Sequence, residues 1–362
     1  MTLPERLCTE STHDFDIKTA DEAMNELQEF YREIGVHHIA PLWERLHELI
    51  TKMPSSAAQP AKWDYDNVVR PHLMKAARLI SAQEAERRVL ILENPGMPGE
   101  ASITHSLYAG IQLIMPGEVA PAHRHSQSAL RFVIEGHGAY TTVEGERTVM
   151  HPGDFVLTPS WKWHDHGNDS NEPMTWLDGL DIPVVSFFET SFAESGRTDQ
   201  QVVAKPINDS TIRFGNNMLP VDWESPDSHS PVINYPYTKS REVLVGMMQG
   251  GPPDACHGHK MRFINPANGR SPMPTLGAFM QMLPAGFSTT PYRSTDGTVF
   301  SVVEGEGESE IGGERIQWGP RDLFVVPSWS WHTHRAKKEA VLFSFSDRPA
   351  QVALGLWRQE RG

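Results

Sequence analysis

Cysteine is scarce in this 362-residue chain, which has only Cys8 and Cys256. Two thiols in so long a chain build no disulfide framework, and free thiols fit a reducing compartment. Positive charge is also short: 32 Lys and Arg stand against 46 Asp and Glu, a formal net charge of −14. That balance argues against nucleic acid and against anionic membrane surfaces, both of which call for a basic face. No uninterrupted apolar run is long enough to span a bilayer. The opening MTLPERLCTESTHDFD lacks the basic start and apolar run of a secretory signal. These absences together predict a cytoplasmic protein with no nucleic-acid or membrane partner. One further shortage is local. HRHSQSALRFVIEG, residues 123–136, sets two histidines two apart at the head of an apolar stretch, and no carboxylate follows until Glu135. Strand metal sites of this sort often carry a glutamate four or five residues after the second histidine. Ala129 and Leu130 stand there instead.

What is present is globular, with 39% hydrophobic and 22% charged residues and length enough for two domains. In residues 19–32, Met24, Leu27, Phe30 and Tyr31 recur at helical spacing, and Thr19 with Glu22 fits a capping box. Pro41 opens a second helix, with Leu42, Trp43, Leu46, Leu49 and Ile50 on one side, and a third is predicted over about 71–80. From Glu100 onward, short β-branched and apolar runs alternate with Gly, Pro and Asn, the pattern of a β sandwich or barrel. Residues 189–249 read as an irregular connector. An internal repeat organises the whole: GERTVMHPGDFVLTPSWKWH at 145–164 is matched by GERIQWGPRDLFVVPSWSWH at 313–332. A period that long means duplicated domains and not a solenoid. The expected layout is a helical extension (1–99), a first barrel (100–185), a connector (186–274), a second barrel (275–348) and a tail (349–362).

Residues i and i+2 of a strand share a face, so His123 and His125 aim together and can meet one ion. A lone His-x-His is weak evidence. Gly153, Pro159, His164 and Asn168 strengthen it, because they resemble the second cupin motif, with Trp161 where glycine is more usual. Three histidines from two segments of one small barrel predict a metal site. Without a carboxylate ligand, the full charge of a divalent ion is left for an anionic ligand to balance. Strand parity places Gln127, Ala129 and Arg131 on the histidine face if the strand is unbroken. Arg131 could then grip a carboxylate bidentately or form an internal salt bridge. His166 faces the same way as His164 and could exchange a proton with a ligand phenol. Tyr108, Gly110 and Gln112 share a face that lines a polar cavity or covers a solvated edge strand. Asp178 could orient a ring or a histidine, and Arg87 precedes the barrel. In the second copy, PYRSTDG (291–297) has no histidine where the first has His123 and His125. His332 and His334 remain as an isolated pair, which predicts a metal-free, structural second barrel. His257 and His259 lie in an irregular segment and are expected to serve a loop or interface.

HRHSQSALRFVIEG, GDFVLTPSWKWHDHGN and WLDGLDIP together resemble the gentisate 1,2-dioxygenases over nearly the whole chain. The resemblance implies a bicupin with an all-β core and a helical N-terminal extension. It implies one Fe(II) per subunit on His123, His125 and His164, O2 as co-substrate, and a homotetramer. Substrate contacts would fall on Arg131, His166, Gln112, Asp178, Arg87 and Tyr108. The implied reaction opens a small aromatic acid between its carboxyl- and hydroxyl-bearing carbons. Relatives that cleave salicylate or 1-hydroxy-2-naphthoate share most of these motifs. Tyr108, where salicylate-cleaving members carry tryptophan, points to gentisate. Two other readings are compatible with the residues alone: a zinc site that activates water, and a non-catalytic bicupin stapled by its metal.

Overall fold

The computed structural model describes residues 19–226 and 228–362, so Cys8 and the opening residues lie outside the described part. The chain divides into two compact units, 1–53 and 54–362. In the first, the helix Ala20–Gly35 starts on the predicted capping box. Glu22 N–H donates to the Thr19 hydroxyl, and Thr19 N–H donates to the Glu22 carboxylate. The next helix, Leu42–Leu49, begins just after Pro41, which takes the cap position and not the first turn. Trp43 Nε1 donates to Tyr31 Oη at 2.8 Å, and Tyr31 donates to Glu44 at 2.6 Å, pinning the two helices together.

The second unit holds two β barrels. Strands β1 (Ala61–Trp63) and β2 (Val89–Ile91) precede the first barrel's body, which runs through β3 (Tyr108–Ile114), β4 (Val119–His125), β5 (Ala129–Glu135), β6 (Ala139–Val143), β7 (Glu146–Val149), β8 (Phe155–Thr158), β9 (His164–Asn168) and β10 (Met174–Leu180). The connector is more ordered than its composition predicts. It carries β11 (Ala193–Ser195), β12 (Asn234–Tyr235), the helix Tyr237–Gly250 and β13 (His259–Arg262). The second barrel has β14 (Gly277–Leu283), β15 (Tyr292–Ser294), β16 (Thr298–Glu304), β17 (Gly307–Ile311), β18 (Glu314–Trp318), β19 (Leu323–Val326), β20 (His332–Ala336) and β21 (Ala340–Ser346), and the tail adds β22 (Gln359–Arg361). The first barrel's sheets run β12-β8-β5-β10-β3-β2 and β11-β4-β9-β6-β7, and the second's β1-β19-β16-β21-β14-β13 and β18-β17-β20-β15-β22. This is the two-barrel, mostly β architecture expected from the repeat.

The barrels exchange edge strands. β1, from the helical N-terminal part, pairs with β19 of the second barrel, and β12 pairs with β8 of the first. Each exchanged segment continues into a tyrosine that straddles the junction. Tyr65 N–H donates to Asp322 of the second barrel, while its hydroxyl donates to Glu135 of the first. Tyr237 N–H donates to Asp154 of the first barrel, and its hydroxyl donates to Glu304 of the second. Arg70 and Arg241 complete the two latches on Glu135 and Glu304. Glu135, at the turn closing its strand, thus has a joining role in both copies. Between the barrels, Leu130, Phe132 and Ile134 from the outer face of β5 pack into a shared apolar core with Phe343 and Phe345, the rings of Phe132 and Phe343 stacked at 4.0 Å. Alternation then points Arg131 and Val133 into the first barrel, which is what positions the site.

Candidate metal centre

The stretch 123–136 is not one strand. It breaks at residues 126–128, where the chain turns from β4 in one sheet to β5 in the other. Parity therefore does not carry from His125 to Arg131. Arg131 reaches the histidines from the opposite sheet, across the barrel interior. A second irregularity, a register shift between Ala120 and His123, leaves His123 directly opposite His164 of β9.

The three histidine rings lie 4.1–5.2 Å apart by centroid, and one ligand atom from each falls within 4.8 Å of the others. This is the one such group of three metal-capable side chains among the described residues. Each ring is held from behind at Nδ1 by a backbone carbonyl: Pro121 for His123 at 3.3 Å, Gln127 for His125 at 2.9 Å, Lys162 for His164 at 2.9 Å. At His125 and His164 the carbonyl can only accept, so Nδ1 carries the hydrogen and Nε2 the lone pair. At His123 the Arg87 guanidinium, which can only donate, also lies against Nδ1. His164 Nε2 is buried without any hydrogen-bond partner, a cost that a bound cation relieves. Burial, with Arg87 and Arg131 close by, pushes all three imidazoles down, His125 to about 4 and His164 well below its usual value, so they are neutral and ready to ligate. The donor set fits a divalent transition metal and includes no carboxylate.

Around the triad, the strands of the larger sheet lay out two rows. Gly110, Asp178 and Arg131 are in register across β3, β10 and β5, and Gln112, Trp176 and Val133 form the next row. β3 is an interior strand and Gln112 is buried, so its Tyr–Gly–Gln face is not a solvated edge. Arg131 Nε lies 3.4 Å from Asp178 Oδ1, and its Nη1 bonds Thr158, so the internal salt bridge is real. Its field still falls on His123, His125, His164 and His166. Asp178 also accepts from Trp176 Nε1 at 3.0 Å. It therefore orients an arginine and an indole, not a histidine. Burial outweighs Arg131 and raises the Asp178 carboxyl to about 6. Arg87 lies against His123 Nδ1 and donates to the same Pro121 carbonyl. Tyr108 is pushed up by burial and by the Asp178 charge, and its hydroxyl lies across Gly110, where an added Cβ would sit 2.8 Å from it. His166 is fully buried with Nε2 unpartnered.

The fold and site geometry agree with three comparisons. A Cupin domain family matches residues 110–180 and 278–345. Gentisate 1,2 dioxygenase 1 of Aquipseudomonas alcaligenes is 56% identical over 93% of this chain and 96% of that protein. The chain belongs to the gentisate 1,2-dioxygenase family.

Within that family, 5-aminosalicylate 1,2-dioxygenase of Comamonas sp is 34% identical over 94% of this chain and 91% of its own. The crystal structure of salicylate 1,2-dioxygenase from Pseudoaminobacter salicylatoxidans, solved as adducts with gentisate, superposes with a TM-score of 0.87 at 35% identity, covering 93% of this chain and 94% of that one. The chain is thus a dioxygenase of a family whose members take different hydroxylated or amino-substituted aromatic acids.

Sequence reasoning missed three supporting residues. Thr141 Oγ1 donates to Met150 Sδ at 3.4 Å and sits 2.9 Å from His166 Nδ1. Thr141 is thus the hydrogen-bond partner of His166 Nδ1, and Nε2 is the ring nitrogen without a partner. Thr158 buttresses Arg131, and Trp176 buttresses Asp178. All three are ordinary strand residues, and only cross-strand register reveals them. The duplicated copy gave one signal: Thr141 matches Ser309, which bonds His334 Nδ1 at 2.7 Å. There Trp318 Nε1 donates to the same serine. The glycine replaced by Trp161 has a reason too. Trp161 and Trp329 sit at φ 60° and 59°, a left-handed conformation that glycine adopts without cost. Stacking of each indole under an arginine, Arg124 and Arg293, offsets that strain.

Proposed function

We propose that this enzyme opens the ring of gentisate between its carboxyl- and hydroxyl-bearing carbons, inserting both atoms of O2 to give maleylpyruvate. The observation that carries the reading is a ligand set of three neutral, backbone-fixed histidines with no carboxylate, beside a buried arginine. His123, His125 and His164 would hold Fe(II), which when bound supplies a site where a chelating aromatic anion and dioxygen meet. Arg131 would bind the substrate carboxylate with the donors that Asp178 and Thr158 leave free, and Arg87 would add positive charge behind His123. His166 would take the phenolic proton at Nε2, the ring nitrogen without a partner. Tyr108 and Gln112 would meet the ring's second hydroxyl, which favours gentisate over salicylate. The low-dielectric interior strengthens each of these contacts.

The test is anaerobic reconstitution with Fe(II) and then oxygen uptake with gentisate, salicylate and 1-hydroxy-2-naphthoate. Fastest uptake with gentisate, with ring-opened product absorbance, supports the proposal. A protein that isolates with zinc and consumes no oxygen after iron loading overturns it. Light scattering checks the expected homotetramer.

A further inference from the structure

The second barrel has no group of three metal-capable side chains among the described residues. Tyr292 stands opposite His332 as His123 stands opposite His164. Phe300 faces Ser344 where Arg131 faces Asp178. The barrel's interior is packed with apolar side chains, Phe300, Trp318, Phe324 and Leu342 among them. Beside it an open groove of about 540 Å³, formed largely by the connector, is lined among others by His257, Lys260, Phe279 and Arg348. Lys260 lies beside Gln281 in the β13–β14 ladder, the place that Val89 takes beside Gln112 in the first barrel. The cation has moved to another strand. His257, expected to serve a loop, packs its ring 4.5 Å from that of Tyr292 and lines this cavity.

The charges here do not balance. Asp296 is the buried acid, and its two oxygens are taken, one by Arg348 Nε at 3.2 Å and the other by Trp357 Nε1 at 2.8 Å. Asp254, at the cavity rim, is held by Arg361. Lys260 has no hydrogen-bond acceptor among the described residues and meets only aromatic faces, 5.0 Å from the Phe279 centroid and 5.6 Å from that of Phe300. Arg348 lies 5.1 Å from the same Phe279 ring. Both cations therefore lie near one phenyl ring, Asp296 pairs with Arg348 while its charge also acts on Lys260, and the groove opens beside them. Burial, with Arg348 nearby, lowers the Lys260 ammonium to about 7.

We propose that this groove beside the second barrel binds a small aromatic carboxylate, its carboxyl group on Lys260 and Arg348 and its ring along the apolar lining. The ligand supplies the hydrogen-bond acceptor that Lys260 lacks among the described residues and buries its ring against Met247, Pro252, Pro253 and Phe279. The site shares no residue with the metal centre, so it stands or falls apart from the catalytic reading.

The experiment labels amines of the iron-loaded enzyme by reductive methylation at pH 8, with and without benzoate, and reads each lysine by peptide mass spectrometry. An adjacent carboxylate that raises the ammonium by about two units of pKa makes Lys260 about tenfold less reactive, while exposed Lys239 serves as the unchanged control. Benzoate at the metal centre does not alter this readout. Calorimetry of Lys260→Met should lose one benzoate-binding event per chain while oxygen uptake stays at the wild-type rate. Equal Lys260 labelling with and without benzoate, or wild-type benzoate stoichiometry in Lys260→Met, overturns the proposal.

Discussion

Replacing Arg131 by Met removes the group on which the proposed substrate recognition rests, and the size of the expected effect follows from its surroundings. Arg131 is buried, pairs with Asp178 at 3.4 Å and bonds Thr158. A charge-assisted contact to a ligand carboxylate is worth about 1.5–3 kcal/mol, which converts to a roughly ten- to hundred-fold rise in KM for the aromatic acid. The fold should survive because Asp178, already raised to about 6, can discharge itself by binding a proton. Burial raises that carboxyl and Arg131 lowers it, so without the arginine it rises further. A carboxyl whose folded pKa exceeds its unfolded value stabilises below the unfolded pKa, and that stability is lost as pH climbs through the folded pKa. The thermal penalty of Arg131→Met should therefore be small near pH 5 and larger at pH 8. Oxygen uptake against gentisate concentration, with iron content measured in parallel, reads the first effect, and melting curves at the two pH values read the second. An unchanged KM at full iron loading would refute the assignment of Arg131, and a penalty independent of pH would refute the account of Asp178.

His123→Ala should abolish iron retention and turnover while the melting transition persists, since the barrel keeps its sheets and latches; loss of folding would instead mark the metal as a structural staple. Thr141→Val, which keeps shape but removes the hydrogen-bond partner of His166 Nδ1, should lower kcat about tenfold with little change in KM, and Thr141→Ser should restore it; a wild-type kcat for the valine variant would exclude Thr141 from positioning His166. Burial depresses seven histidines (His123, His125, His164, His166, His257, His332 and His334), so the unfolded chain binds protons below pH 6.5 that the folded chain refuses. Each costs about 2 kcal/mol at pH 5, more than the raised carboxyls Asp178, Asp181 and Asp347 return. The metal-free protein should thus lose melting temperature steadily from pH 7 to pH 5, and a rise over that range would contradict the buried, neutral histidines.

The sequence by itself determined the duplication, the mostly β barrels, the first helix with its cap, and the His123–His125–His164 constellation. These depend on local period, on turn residues and on i, i+2 spacing, which a linear chain displays directly. Glu135 was legible as the first carboxylate after the histidine pair, but its bonds to Tyr65 and Arg70 were not, because those partners are 70 and 65 residues away. Tertiary structure alone decided that 126–128 is a corner and that Arg131 meets the histidines from the facing sheet. It also decided that Asp178 pairs with Arg131, that Thr141 meets His166 Nδ1, and that segments assigned to extension and connector lend strands to both barrels. The physical reason is common to all of these. Register between strands distant in sequence is set by packing two sheets over one core, and it chooses which buried charges become neighbours. No spacing along the chain encodes that choice.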